Sequence, residues 1–375
     1  MGKPRLPDVE KQEMLDLPML LLTLLLTALG LVMIYSSSFA RALYESGDSA
    51  YYFKRQGIFA LVGTAAMLAI SRVRPELIRK MAFPVLGVSI LFLILVFVPG
   101  IGRAENGATR WVSLGISFQP SEVAKLGVIL SFAAMITRFG GNMETFRWGI
   151  APFAGILAVI VVLLRLEPHN SAIVIIACTA GAMLFLGGVK YRWFILGGCT
   201  MLLGLILILG AGGYEASRIT AWQDPFSDPT DDGYQIIQSL YAIGSGGLFG
   251  LGFGQGRQKY LYLPEEHNDY IFSIACEELG LTGAAAILLL YALLILRGYW
   301  ISMHIRDRFL SLTVAGITTL TALQVFFNIG VVTNLLPSTG ISLPFFSYGG
   351  TALLIQLGEM GIILGASRQC SAGFL

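Results

Sequence analysis

The sequence predicts an all-α polytopic membrane protein, with about ten transmembrane helices and a large extracytoplasmic loop between the seventh and the eighth. Three observations predict it. The 375 residues are 55% hydrophobic and only 13% charged, with a mean hydropathy of +0.73, whereas a soluble globular protein carries about 25% charged residues. The apolar residues gather into runs of about 20, the length that crosses a bilayer. The stretch Gly212–Asp269 interrupts those runs with carboxylates, amides and aromatics.

Taken in order, Met1–Asp16 is a charged tail without a cleavable signal pattern. The first apolar run, from Leu17, is too long for a signal h-region. The first three spans are read at about 17–37, 55–73 and 80–99. The fourth, at about 121–138, follows Pro120, which suits a first helical turn, and it contains Lys125. The next three lie at about 148–166, 170–188 and 193–211, the first two separated by the turn Glu167-Pro168-His169. After the polar insert, the eighth span, at about 270–296, contains Glu277 and Glu278, and the last two lie at about 310–332 and 347–366. With no long linker and no low-complexity tract, residues 1–375 read as one membrane domain. Within it, 1–16 is a cytoplasmic tail and 212–269 the outer loop.

An even number of spans puts both termini on one side. That side collects most of the basic residues, among them Arg72, Arg74, Arg79, Lys80, Lys190 and Arg308. An excess of Lys and Arg marks the cytoplasm. The insert, Gly100–Pro120, the Glu167 turn and Thr333–Phe346 then all face outward. The net charge of +2 adds nothing to this. The four cysteines show no CxxC spacing, so neither a disulfide framework nor a thiolate metal site is indicated.

Several polar groups have two readings each. Asp269 precedes an apolar run, the position of a helix N-cap. It would equally be a carboxylate at the mouth of the membrane, where partial desolvation makes it a better base. Glu265, Glu266 and His267 beside it lack a standard metal-ligand spacing. Glu277 and Glu278 are either interfacial or intramembrane. Glu122 and Lys125 are an i, i+3 pair that either neutralises itself or, through Lys125 with Arg110, faces a phosphate-bearing lipid. Trp111 is by default an interfacial anchor. The glycine-dense stretch Gly244–Gly256 lacks the context of a nucleotide-binding loop and reads as a packed re-entrant turn. Leu336–Thr351 could line a cavity or supply small residues for helix packing.

Taken together, Asn106-Gly-Ala-Thr-Arg-Trp, Gln119-Pro-Ser-Glu-Val-Ala-Lys, Asp231-Asp-Gly-Tyr-Gln, Leu263-Pro-Glu-Glu-His-Asn-Asp-Tyr and Pro337-Ser-Thr-Gly-Ile-Ser-Leu-Pro-Phe-Phe-Ser-Tyr-Gly-Gly resemble the SEDS (shape, elongation, division and sporulation) family. The last motif is closer to its division and sporulation branch. The resemblance implies a peptidoglycan glycosyltransferase in the bacterial inner membrane. Its substrate would be lipid II, a disaccharide-pentapeptide on undecaprenyl diphosphate. Its partners would be a class B penicillin-binding protein and divisome or sporulation proteins, with no nucleic acid. Asp269 corresponds to the aspartate needed for polymerisation. Arg110, Trp111, Glu122, Lys125, Arg218, Lys259, His267 and Ser347 are the expected substrate-binding residues. Charge on the departing diphosphate would be offset by such cations or by a divalent metal, Mg or Mn. One departure stands out: where many members carry Gln-Pro-Asp, this chain has Glu167-Pro168-His169. The alternatives are a transporter of the same lipid, with Lys125, Glu277 and Glu278 along its path, or a non-catalytic scaffold for a transpeptidase.

Overall fold

The computed structural model describes residues 15–105, 108–113, 115, 117–198, 214–230 and 233–370. Eight of its helices are long and apolar enough to cross a membrane, and a ninth apolar helix covers Asn170–Leu186. The expected seventh span, 193–211, lies mostly outside the described residues, of which 191–198 are helical.

The first helix, α1 (Leu17–Ser46), starts where Asp16 accepts the Met19 N–H at 2.9 Å, with Pro18 in its first turn. Arg297 grips the same carboxylate at 2.6 Å. The second and third helices are α2 (Tyr51–Ile70) and α3 (Pro75–Leu95). Both begin about four or five residues earlier than hydropathy suggests, because long basic side chains sit in a first turn and extend out of the apolar layer. Lys54 reaches Asp48, and Arg79 reaches Asp307, each at 2.7 Å.

The connection 100–120 departs from the all-α expectation. It is a three-stranded antiparallel sheet: β1 (Gly102–Glu105), β2 (Ala108–Ser113) and β3 (Ser117–Phe118). It delivers the chain to α4 (Pro120–Phe139), which is followed by α5 (Ala151–Leu166) and α6 (Asn170–Leu186). The polar insert contains α7 (Tyr214–Gln223) and α8 (Tyr234–Gly246). The chain closes with α9 (Ile271–His304), α10 (Arg308–Val332) and α11 (Gly350–Ser367).

The helices sort into an inner and an outer set. The most apolar window of α10 is 78% buried and that of α2 only 22%. Leu61, Phe83 and Val162 on the outer helices are exposed, as a lipid-facing surface requires. The inner helices carry the polar residues Lys125, Gln324 and Asn328, which protein covers rather than lipid.

Glu277 and Glu278 are both buried, and both anchor the glycine-rich turn. Glu277 accepts the Arg257 N–H at 2.8 Å. Glu278 accepts the Gly254 N–H at 3.0 Å, pairs with Lys259 at 2.7 Å and accepts the Ser36 hydroxyl at 2.6 Å. The helix breaks just beyond them at Gly280 (φ 66°), where an added Cβ would lie 2.2 Å from the Gly250 nitrogen. Only glycine permits that backbone and that approach.

Candidate functional site

The connections that the charge pattern grouped on one side do converge. Residues from α2, the sheet, α4, the 167–169 turn, the 265–269 segment and the 340–352 segment line one cavity of about 470 Å³. Five of the expected residues meet there: Asp269, Arg110, Trp111, Glu122 and Lys125.

Asp269 is not the cap of α9. Tyr270 occupies the cap position, and no side chain caps that end. Among the described residues, nothing donates a hydrogen bond to the Asp269 carboxylate. Its Oδ2 lies 3.2 Å from where a Cβ on Gly340 would stand, so glycine leaves it room. The side chain is half-buried and lines the cavity. Loss of bulk water pushes its pKa up to about 7, Glu265 adds to the rise, and Arg218 and Arg110 oppose it. A carboxylic acid poised near neutrality is suited to general-base work.

The backbone behind Asp269 is held from three elements. Asn328 of α10 donates to the Asp269 carbonyl at 2.7 Å and to the Ile341 carbonyl at 2.8 Å. The Ser347 hydroxyl donates to the Asn268 carbonyl at 2.8 Å and accepts the Leu343 N–H at 2.8 Å. Arg218 of α7 donates to the Ser338 carbonyl at 2.9 Å. Ser347 and Arg218 therefore brace the loop that faces Asp269 and do not line the cavity. Asn328 is absent from the sequence reading, although an amide inside an apolar run such as Val325–Val332 is a recognisable signal.

His267 lies behind the wall. It is buried against Tyr52, with ring centroids 4.5 Å apart, and against Tyr348 at 5.6 Å. Burial and the nearby Arg41 lower its pKa to about 4, so it is neutral. Lys259 is consumed by Glu278 and does not reach the cavity. Glu266 is held by Arg41 at 2.7 and 2.8 Å, whereas Glu265 lines the cavity.

The pair at the start of α4 forms as spacing suggests: Lys125 Nζ lies 2.7 Å from the Glu122 carboxylate, and both are buried. The pair also borders the cavity, so self-neutralisation and access to a ligand coexist. Arg110 on β2 donates to the Pro168 carbonyl, which ties the sheet to the Glu167 turn. In that turn His169 lines the cavity and faces Gln119 at 3.3 Å. Burial, Arg110 and Lys125 lower its pKa to about 3. Glu167 is buried, and burial raises it to about 8 against the pull of Arg110. The turn is thus uncharged near neutral pH apart from its arginine neighbour. Among the described residues, no group of three or more His, Cys, Asp or Glu side chains is placed to hold a metal ion.

The model of the FtsW, RodA and SpoVE group, described as cell cycle proteins, matches residues 16–372. Stage V sporulation protein E of Bacillus subtilis is 40% identical over 94% of this chain and 97% of its own length. The probable peptidoglycan glycosyltransferase FtsW of Geobacter metallireducens is 40% identical over 96% and 97%. Two solved structures share the architecture. One is a chain of a peptidoglycan synthase complex that coordinates polymerization and crosslinking, with a TM-score of 0.79 at 26% identity over 96% of this chain and 99% of that one. The other is the rod shape determining protein RodA of Thermus thermophilus, with a TM-score of 0.69 at 27% identity over 96% and 98%.

Proposed function

The chain belongs to the FtsW, RodA and SpoVE family of cell cycle proteins, and on that premise we propose that it is a peptidoglycan glycosyltransferase that polymerises lipid II at the outer face of the bacterial inner membrane. The observation that carries this reading is the Asp269 carboxylate, which accepts no hydrogen bond among the described residues, in a cavity that also holds Arg110 and Lys125. Asp269 takes the proton from the C4 hydroxyl of one lipid-linked N-acetylglucosamine. The freed oxygen bonds to C1 of the N-acetylmuramic acid on a second lipid. The C1–O bond to undecaprenyl diphosphate breaks, and its electron pair leaves with the diphosphate. Diphosphate is a stable anion, so one base suffices, and C1 inverts. This differs from hydrolases built on two carboxylates. Arg110 and Lys125 stabilise the charge that develops on the diphosphate. A class B penicillin-binding protein is the proposed transpeptidase partner, in division or sporulation.

Glycan polymerisation by the purified protein from lipid II tests this reading. A transporter would move the lipid without making product, and a scaffold would do neither. Because the base works as the carboxylate, activity should fall as pH drops through about 7, where Asp269 takes up its proton. A rate unchanged between pH 8 and pH 5 would remove Asp269 from the chemistry.

Orientation has its own test. Both termini are proposed to be cytoplasmic, with the 212–269 segment outside. In a variant lacking the four native cysteines, an impermeant thiol reagent added outside whole cells should label Asp228→Cys and spare Arg306→Cys. Both positions are exposed, so the opposite pattern would reverse the topology.

A further inference from the structure

The proposed reaction joins two lipid-linked saccharides, and each carries a diphosphate. The donor's diphosphate leaves; the acceptor's stays. One cationic cluster, around Arg110 and Lys125, serves the leaving group. A second anion remains to be held in the same cavity while its sugar hydroxyl is presented to Asp269.

The α2 side of the cavity has the chemistry for it. Tyr51, Tyr52 and Arg55 come from the first turns of α2, and Tyr348 comes from the segment before α11. This wall is built from different elements than the Arg110 and Lys125 wall, which belongs to the sheet and α4. The Arg55 Nη1 donates to the Tyr51 hydroxyl at 3.0 Å, and the guanidinium lies 5.9 Å from the Tyr51 ring centroid. Among the described residues no carboxylate comes within ion-pair distance of Arg55. Its neighbours are treated differently: Lys54 is paired with Asp48 and Arg41 with Glu266. An interfacial arginine without an acid partner ordinarily extends to lipid headgroups. Arg55 borders the cavity instead, oriented by the Tyr51 hydroxyl rather than by a carboxylate.

The aromatic groups beside it are fixed in place. The Tyr52 hydroxyl donates to Glu45 at 2.6 Å, and its ring meets Tyr348 edge-on at 4.9 Å, with His267 packed beneath both. Rigid tyrosines offer a sugar an apolar face and polar tips.

Resting on the glycosyltransferase reading above, we propose that the α2 wall, with Arg55 at its centre and Tyr51, Tyr52 and Tyr348 around it, is the acceptor subsite, and that Arg55 binds the diphosphate the acceptor retains. The donor's diphosphate is held separately by Arg110 and Lys125.

The test uses the purified full-length protein and substrates that can play only one role. A labelled lipid II with a 4-deoxy non-reducing sugar serves only as donor. Two acceptors that cannot donate are compared: a short-chain lipid II analogue whose C1–O bond to the diphosphate is replaced by a non-cleavable C1–CH2 bond, and the same disaccharide-peptide as a methyl glycoside, which has no diphosphate. In the wild type the diphosphate acceptor should be used at least about tenfold better, the worth of a charge-assisted contact. Arg55→Met should raise KM for that acceptor about tenfold, leaving KM for the donor and kcat/KM with the methyl glycoside unchanged. Arg55→Lys, which keeps the charge and loses the fork, should recover part of the loss; it carries the test should the methionine variant prove unstable. The inference fails if both acceptors suffer alike, as they would were Arg55 holding a phospholipid phosphate or merely supporting the fold. It fails also if the donor KM shifts with the acceptor KM, or if neither variant changes anything. A wild type that condenses no pair at all would sink the glycosyltransferase reading itself. One that uses both acceptors equally would sink only this subsite.

Discussion

Asp269→Asn should give a folded, membrane-inserted protein whose glycan synthesis falls roughly 10²–10⁴-fold, the worth of a general base. The fold has little reason to notice the change. The carboxylate accepts no hydrogen bond among the described residues, and Tyr270, not Asp269, stands at the head of α9. Asparagine has the same shape, and Asn328 still holds the backbone carbonyl from behind. What is lost is the ability to take a proton. Lipid II binding should change little, and the pH limb near neutrality should disappear with the activity. Thermal stability measured alongside polymerisation separates the outcomes. If a stable asparagine variant keeps near-wild-type synthesis, the base is another group. Glu265 is then the candidate, because it lines the same cavity while Glu266 is committed to Arg41.

Lys125→Met should be more damaging than its conservative shape suggests. The methionine keeps the apolar stem but leaves Glu122 buried without its cation. Breaking a buried pair from one side costs about 3–5 kcal/mol. Removing both charges, as in Glu122→Gln with Lys125→Met, avoids the orphaned charge. The double variant should recover most of the thermal stability while remaining deficient in binding the diphosphate lipid and in polymerisation. If it recovers activity together with stability, the pair serves only to let α4 enter the membrane, and Lys125 drops out of the diphosphate site. If it binds normally but polymerises slowly, Lys125 acts on the developing charge rather than on the bound lipid.

These two residues mark how far the sequence can be read. Lys125 with Glu122 was legible because an i, i+3 pair is local, and the pair forms. Asp269 was legible as a polar group at a span boundary, but position alone could not separate a cap from a base. Glu277 and Glu278 were ambiguous for the same reason. Each is neutralised or hydrogen-bonded by groups supplied elsewhere in the chain: Ser36 lies 242 residues from Glu278, and Lys259 lies in the preceding loop. The same holds for Arg41 and Glu266, 225 residues apart. Lys259 looked available on charge alone, and the fold commits it to Glu278. The small sheet at 102–118 escaped notice because its strands are short and sit in a polar connection without strong alternation.

Local patterns along the chain are enough to give the class of the protein, the approximate positions of most of its described helices and the motifs that place it in its family. Those features depend on the length of apolar runs and on residues adjacent in the chain. Which charges are paired inside the protein and which face the cavity is settled by the three-dimensional arrangement alone. Six segments from distant parts of the chain meet at one cavity, and there, among the described residues, Asp269 is left without a hydrogen-bond donor, His169 is kept neutral and Arg55 has no acid partner. The free energy of a buried charge depends on what surrounds it in space, and no local pattern in the chain records those surroundings.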